Sequence, residues 1–234
     1  MKTAISAGYA LVTLEEFLDG RVDVEAQPTL ILRHDVDQHP TSALRMSDVE
    51  VALGVRSTWY FRWRTANTQV IAELRRRGGE LGFHYETLSR EARAAGESEA
   101  PADLSPARER LREEIAIFLE LHGPIRSVSA HGDTRVPGIR NGDLLRDEDW
   151  REYGIDYDAN DAMRRHRLAA WLTDRSAADG AWSNGQSPEA LFREGETPIL
   201  CLTHPNNWVS GPSLWRDRIV AELARRTRDA PPPR

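Results

Sequence analysis

The chain has 234 residues, 40% of them apolar and 29% charged, with a formal net charge of −6. That length supports one large α/β domain whose core is stable without a disulfide or structural metal, and the acidic balance argues against nucleic acid or an anionic membrane surface as the main partner. The single cysteine, Cys201 in "PILCLTH", cannot bridge internally and reads as a buried, inert thiol, and no apolar run approaches the roughly 20 residues that span a bilayer.

The N-terminal stretch "MKTAISAGYALVTLEEFLDG" is interrupted by Glu15 and Glu16, so it reads as part of the domain rather than a leader, and the expected location is cytoplasmic. Strands and amphipathic helices then alternate, the pattern of a parallel α/β sheet or barrel. A strand over 29–35 leads into a helix capped by Ser42, with Leu44, Val49 and Leu53 inward and Gly54 closing it. "RSTWYFRW" is a second strand, Asn67 caps a helix with Val70, Ile71 and Leu74 on one face, and "ELGFHY" is a third strand. From Ser89 to Asp103 the chain is rich in Ala, Glu, Arg and Gly, which predicts a solvated excursion or flap.

Ser105-Pro106 initiates a helix that runs to Gly123 with Leu111, Ile115 and Phe118 inward. "IRSVSAH", "YGIDYD", "RLAAWLT" and "TPILCLT" are the fourth to seventh strands, and Ser187-Pro188 starts a short helix before the last of them. "SLWRDRIVAELARR" closes the domain as an amphipathic helix, so the domain is expected over 1–228 and a disordered tail, "DAPPPR", over 229–234.

Polar residues gather where these strands end. "LRHDVDQHP" places His34, Asp35, Asp37 and His39 within six residues, a crowd of charge that loses hydration unless a cation offsets it. His84-Tyr85-Glu86, His131-Gly132-Asp133 and His204-Pro205-Asn206 end the third, fourth and seventh strands. In a parallel barrel these ends converge on one mouth. Asp with His suits a divalent ion of the Zn²⁺, Co²⁺, Mn²⁺ or Ni²⁺ type, zinc foremost, better than Ca²⁺ or Mg²⁺. Strand alternation sends Asp35 and Asp37 to one face and His34 to the other, so one carboxylate can hold a metal while its neighbour takes a proton.

"RHDVD", "ELGFHYETLS", "SAHGD" and "LTHPNNW", in that order, resemble the polysaccharide deacetylase superfamily (NodB-like, carbohydrate esterase family four), in the branch whose first motif reads His-Asp-Val-Asp. The resemblance spans Leu30 to Trp208. It implies a single-domain α/β fold, a distorted TIM-like barrel of about seven β/α units, and a metal-dependent hydrolase that removes an acetyl or other acyl group from an N-acylated amino sugar or glycoconjugate precursor. By the same resemblance Asp35 is the catalytic base, Asp37 and His84 hold the metal, and His204 is the general acid. The family's His-x-x-x-His motif is broken, because Leu88 stands four residues after His84. His131 is the expected replacement ligand and Glu86 the second choice.

Tyr85, Glu86, Arg135, Asn206 and Trp208 are the expected substrate contacts, with the aromatics offering faces to a sugar ring and Arg33, Arg135 and Arg140 available to an acidic or nucleotide-linked sugar. The implied partner is a small or oligosaccharide acylated sugar, without nucleic acid or a membrane span. Hydrolysis of another amide or ester bond on the same barrel, and a non-catalytic sugar-binding descendant, are the competing readings.

Overall fold

The computed structural model describes residues 1–133, 135–136, 138–174, 182, 185 and 187–209. The closing helix and tail expected over 213–226 and 229–234 lie outside the described residues. The fold begins with α1 (Lys2–Ser6), β1 (Ala10–Val12) and α2 (Leu14–Leu18), followed by β2 (Thr29–Val36), α3 (Thr41–Ala52), β3 (Thr58–Phe61), α4 (Thr68–Arg76) and β4 (Glu80–Tyr85). Then come α5 (Thr87–Ala95), α6 (Ser105–His122), β5 (Ser127–Ala130), β6 (Tyr157–Asp158), α7 (Ala159–Arg164), β7 (Ala170–Thr173), α8 (Pro188–Glu194), β8 (Ile199–Thr203) and α9 (Pro205–Trp208).

All strand pairings are parallel, and the sheet runs β6-β5-β4-β3-β2-β8-β7 with β1 added against β2. The sheet curls: Ile31 of β2, Tyr60 of β3, Tyr157 of β6 and Leu200 of β8 meet in one interior cluster with Leu14 and Met163. The domain is therefore a distorted (β/α) barrel, left open between β6 and β7 among the described residues. Outside the sheet, Trp59, Phe61, Phe83 and Val128 pack against Ile71, Leu74, Ile115 and Phe118 of α4 and α6. Burying each such side chain contributes about 1.5–3 kcal/mol.

The seven expected strands are present, with "YGIDYD" reduced to Tyr157–Asp158. An eighth, β1, lies inside the mildly apolar N-terminal stretch; three residues are too few to show a period, and register against β2 defines it, Ala10 opposite Thr29 and Val12 opposite Ile31. β1 takes the lower part of the β2 edge whose upper part, from Arg33, pairs with β3.

Three local readings are corrected. Ser89 to Asp103 is not all excursion: α5 runs to Ala95 with Leu88, Ser89 and Ala92 buried, and only the residues beyond Gly96 form an exposed loop. Alternating Ala with Arg and Glu suits a helix resting on few apolar contacts, which composition alone did not separate from a loop. Val49, expected inward, is 50% exposed. Ser42 lies within α3, its hydroxyl donating to the His39 carbonyl at 2.7 Å, and Pro40 occupies the cap position. Asn67 does cap α4, accepting from the Gln69 and Val70 amides.

At the N-terminal end of the barrel, the buried Glu80 carboxylate accepts from the Glu15 amide at 2.8 Å, the Thr58 hydroxyl at 2.8 Å and the Tyr157 hydroxyl at 3.1 Å, tying α2 across the floor. Burial, reinforced by the charge of Glu15, raises its pKa to about 7.

Gly82 stands between Glu80 and His84 on the inward face of β4, where a Cβ would press into the Tyr60 ring and lie 2.8 Å from the Ser127 carbonyl oxygen. Gly82→Ala should destabilise the fold by about 1–3 kcal/mol, read as a lower denaturant midpoint; an unchanged midpoint would show that the interior is looser than this packing requires.

Candidate metal centre and cleft

β2 alternates between the two sides of the sheet. On the outer side His34 contacts Thr203 through Nδ1 at 2.6 Å and Glu50 through Nε2 at 2.8 Å, and its ring lies 4.3 Å from that of Trp59. On the inner side stand Arg33 and Asp35, both buried. The Arg33 guanidinium grips Asp35 with two parallel hydrogen bonds, Nε to Oδ1 and Nη2 to Oδ2, each 2.9 Å. It also donates to Asn160 of α7 at 2.7 Å and to the Ser129 hydroxyl of β5, and it lies over the Tyr60 ring. Burial alone would raise the Asp35 pKa; the Arg33 guanidinium outweighs it and holds the carboxyl below its ordinary value.

Asp37, one residue beyond the end of β2, meets three imidazoles. Its Oδ1 lies 3.6 Å from His84 Nε2, and its Oδ2 lies 3.4 Å from His131 Nε2 and 3.7 Å from His204 Nε2. Burial pushes its pKa up, but the imidazoles, His131 first, pull it well below the usual carboxylate range. Oδ1 is buried without a hydrogen-bond partner among the described residues.

His84 sets the polarity of the centre. Its Nδ1 is 2.9 Å from the Ser129 carbonyl oxygen, which can only accept, so Nδ1 carries the proton. Burial lowers the His84 pKa despite the neighbouring carboxylates, favouring the neutral ring. Its Nε2 lone pair then faces Asp35 Oδ2 at 3.4 Å and Asp37 Oδ1 at 3.6 Å. A lone pair aimed at two carboxylates is repulsive unless a cation lies among them.

Asp37, His84 and His131 offer ligand atoms all within 4.8 Å of one another, a spacing one divalent ion can satisfy. Glu86, His131 and Asp133 form a second such group. There, however, Arg62 and Arg93 already serve Glu86, and Arg93 and Arg135 serve Asp133. Fixed guanidiniums fill the role of a cation, so the first group is the better fit. Leu88 is buried in the outer core.

His204 follows β8 and is held by Asp174, which follows β7. Asp174 accepts from His204 Nδ1 at 2.6 Å, from the His204 amide at 2.8 Å and from Trp208 Nε1 at 2.6 Å. Burial pulls the His204 pKa down, but the Asp174 hydrogen bond and the surrounding carboxylates reverse this and raise it. Asp174 belongs to none of the sequence motifs above, although "WLTD" places it at a strand end as His84, His131 and His204 are placed.

These groups line a cleft of about 1150 Å³ at the C-terminal strand ends. Of the expected substrate contacts, Arg135 and Asn206 border it. Tyr85 does not: it points to the outer side of β4, fully buried, its hydroxyl donating to Asp158 at 3.0 Å, as its place next to inward His84 requires. Glu86 is committed to Arg62 and Arg93, and Trp208 is half-exposed with its indole N–H on Asp174. Arg33, considered for an acidic sugar, is consumed by Asp35.

No protein-family model and no curated protein sequence matches the chain. Among solved structures it is similar to a CE4 family pseudoenzyme from Bacillus anthracis at 11% identity and a TM-score of 0.49, over 84% of this chain but only 60% of that one. It is also similar to a family 4 carbohydrate esterase from Streptomyces lividans in complex with acetate, at 12% identity and a TM-score of 0.43 over 85% of this chain and 79% of that one. A family 4 carbohydrate esterase from Bacillus anthracis aligns at 12% identity and a TM-score of 0.45, over 97% of this chain and 85% of that one. Among the described residues, no helix is long and apolar enough to cross a membrane.

Asp174→Asn should lower the pKa of His204, followed by NMR titration of the chelator-treated protein. Because the folded-state pKa is raised, the stabilisation from this pair is fully present below the unfolded-state pKa near 6.5 and is lost as pH rises through the folded value. The substitution should therefore cost more stability at pH 5 than at pH 9; an equal cost at both would mean that Asp174 acts only as a packing group.

Proposed function

We propose that the chain is a metal-dependent hydrolase that releases an acyl group from an N-acylated amino sugar or a precursor carrying one. The observation that carries this reading is the His84 lone pair facing Asp35 and Asp37, with His131 completing a three-residue ligand set and His204 standing across it. Asp37, His84 and His131 would hold the ion, which supplies acidified water and a polarised acyl carbonyl when bound. Three protein ligands leave room for both.

Asp35 sits beside that point, kept ionised by Arg33, and accepts the proton of the attacking water. A depressed pKa makes a weak base, but a water already acidified needs only a weak one. His204, its pKa raised by Asp174, keeps a proton on Nε2 for the departing nitrogen while Nδ1 holds Asp174. Each of the two groups is thereby biased toward the protonation state its task requires.

One feature favours a non-catalytic descendant: both Asp35 oxygens already accept from Arg33. A carboxylate oxygen has a second lone pair, so proton transfer through Oδ2 is still open, and acetate release separates the two readings.

Asp35→Asn should reduce acetate release from N-acetylated amino-sugar oligomers by at least about a hundredfold while zinc content stays at one ion per chain; wild-type rates in this variant would exclude the assignment. His131→Ala should weaken zinc affinity by at least about tenfold, measured by competition with a chromogenic chelator. Unchanged affinity would remove His131 from the ligand set, and only then does Glu86 become the third ligand to test.

A further inference from the structure

The turn after β3 carries a group that the proposed chemistry does not use. Thr65 clamps this turn to the end of β2, its hydroxyl accepting from the Arg62 amide at 3.1 Å and donating to the Val36 carbonyl at 2.5 Å. The clamp lays Arg64 against the first motif. Arg64 Nε and Nη2 donate to the Asp37 backbone carbonyl at 3.2 and 2.8 Å, its side chain is exposed to the cleft, and among the described residues it pairs with no carboxylate. Its Nη1 has no partner among them.

Other guanidiniums stand close by. Arg62, Arg93 and Arg135 face Glu86, Asp133 and, from Arg62 at 4.0 Å, Asp37, so these charges balance before Arg64 is counted. Arg62 Nε is itself buried without a partner among the described residues. Arg140 and Arg164 border the same cleft, exposed and without carboxylate partners among the described residues. The cleft lining sets seven arginines against six aspartates, and Arg64, Arg140 and Arg164 are the guanidiniums there that meet no carboxylate among the described residues.

We infer that Arg64 is the centre of an oxyanion subsite beside the metal centre, so that the substrate carries a carboxylate or phosphate next to its acylated nitrogen. This deepens the proposed hydrolase reading and rests on it. The guanidinium is fixed on one edge by the Asp37 carbonyl and keeps its other edge for the ligand, which suits a planar or tetrahedral oxyanion better than a neutral hydroxyl. Because its anchor is the backbone of a proposed metal ligand, the subsite and the metal centre keep a fixed separation.

The test compares kcat/KM for acetate release from N-acetylglucosamine, from its 1-phosphate and from N-acetylmuramic acid, using zinc-loaded wild type and Arg64→Gln. At low ionic strength the wild type should prefer at least one anionic sugar over the neutral one by about tenfold or more, and Arg64→Gln should collapse that ratio toward one. The phosphate and carboxylate arms tell which oxyanion is taken. A wild-type ratio near one, or a ratio that survives in Arg64→Gln, overturns the inference while leaving the hydrolase reading intact. If no sugar is hydrolysed, the hydrolase reading fails instead, and calorimetry with inorganic phosphate then decides the subsite: binding weakened tenfold or more by Arg64→Gln supports it, and equal or absent binding in both proteins overturns it.

Discussion

Arg33 and Asp35 leave the same strand two residues apart, on the same face, and neutralise each other inside the barrel. A buried carboxylate is costly to desolvate, and a buried guanidinium hardly less so; each is tolerable only because the other is there. The pair also organises its neighbours. Through its remaining nitrogens Arg33 reaches Asn160 on α7 and Ser129 on β5, so one side chain links the first motif to the elements that carry the opposite wall. Removing either partner leaves a charge uncompensated in the interior, a loss of about 3–5 kcal/mol. The stability of the barrel and the ionisation of Asp35 thus rest on the same contact.

Around that pair the polar centre is built by position rather than by sequence proximity. Asp37, His84, His131, Asp174 and His204 each stand at or just beyond the C-terminal end of a strand, and the curl of the sheet makes them neighbours. The backbone does part of the chemical work. The Ser129 carbonyl selects the His84 tautomer, and the paired amide and imidazole of His204 bind the two oxygens of Asp174.

Much of this was legible in the sequence. A period of two in "LILRHDV" puts Arg33 and Asp35 inward and His34 outward, and the structure follows it. The same rule applied to "ELGFHYE" would have placed Tyr85 outside; its expected sugar contact followed aromatic chemistry instead of strand parity. Other features could not be read. β1 is specified by its partner, because three residues carry no pattern of their own. Guanidinium pairing is only partly legible: Arg33 and Asp35 share a face two residues apart, but nothing in the order of residues says that Glu86 is already held by Arg62 while Arg64 meets no carboxylate, since that depends on contacts between separate segments.

β2 has no free edge over most of its length. β8 flanks Leu30 to His34 on one side, while β1 and β3 divide the other, at Thr29 to Ile31 and from Arg33 onward. Its amides are therefore shared among three neighbouring strands, and freeing all of them demands that all three separate. Such a segment is expected among the slowest in the domain to exchange its amide protons with solvent. Asp35 stands one residue beyond the stretch flanked on both edges, paired with Tyr60 of β3, so its backbone is anchored by the most enclosed strand of the sheet.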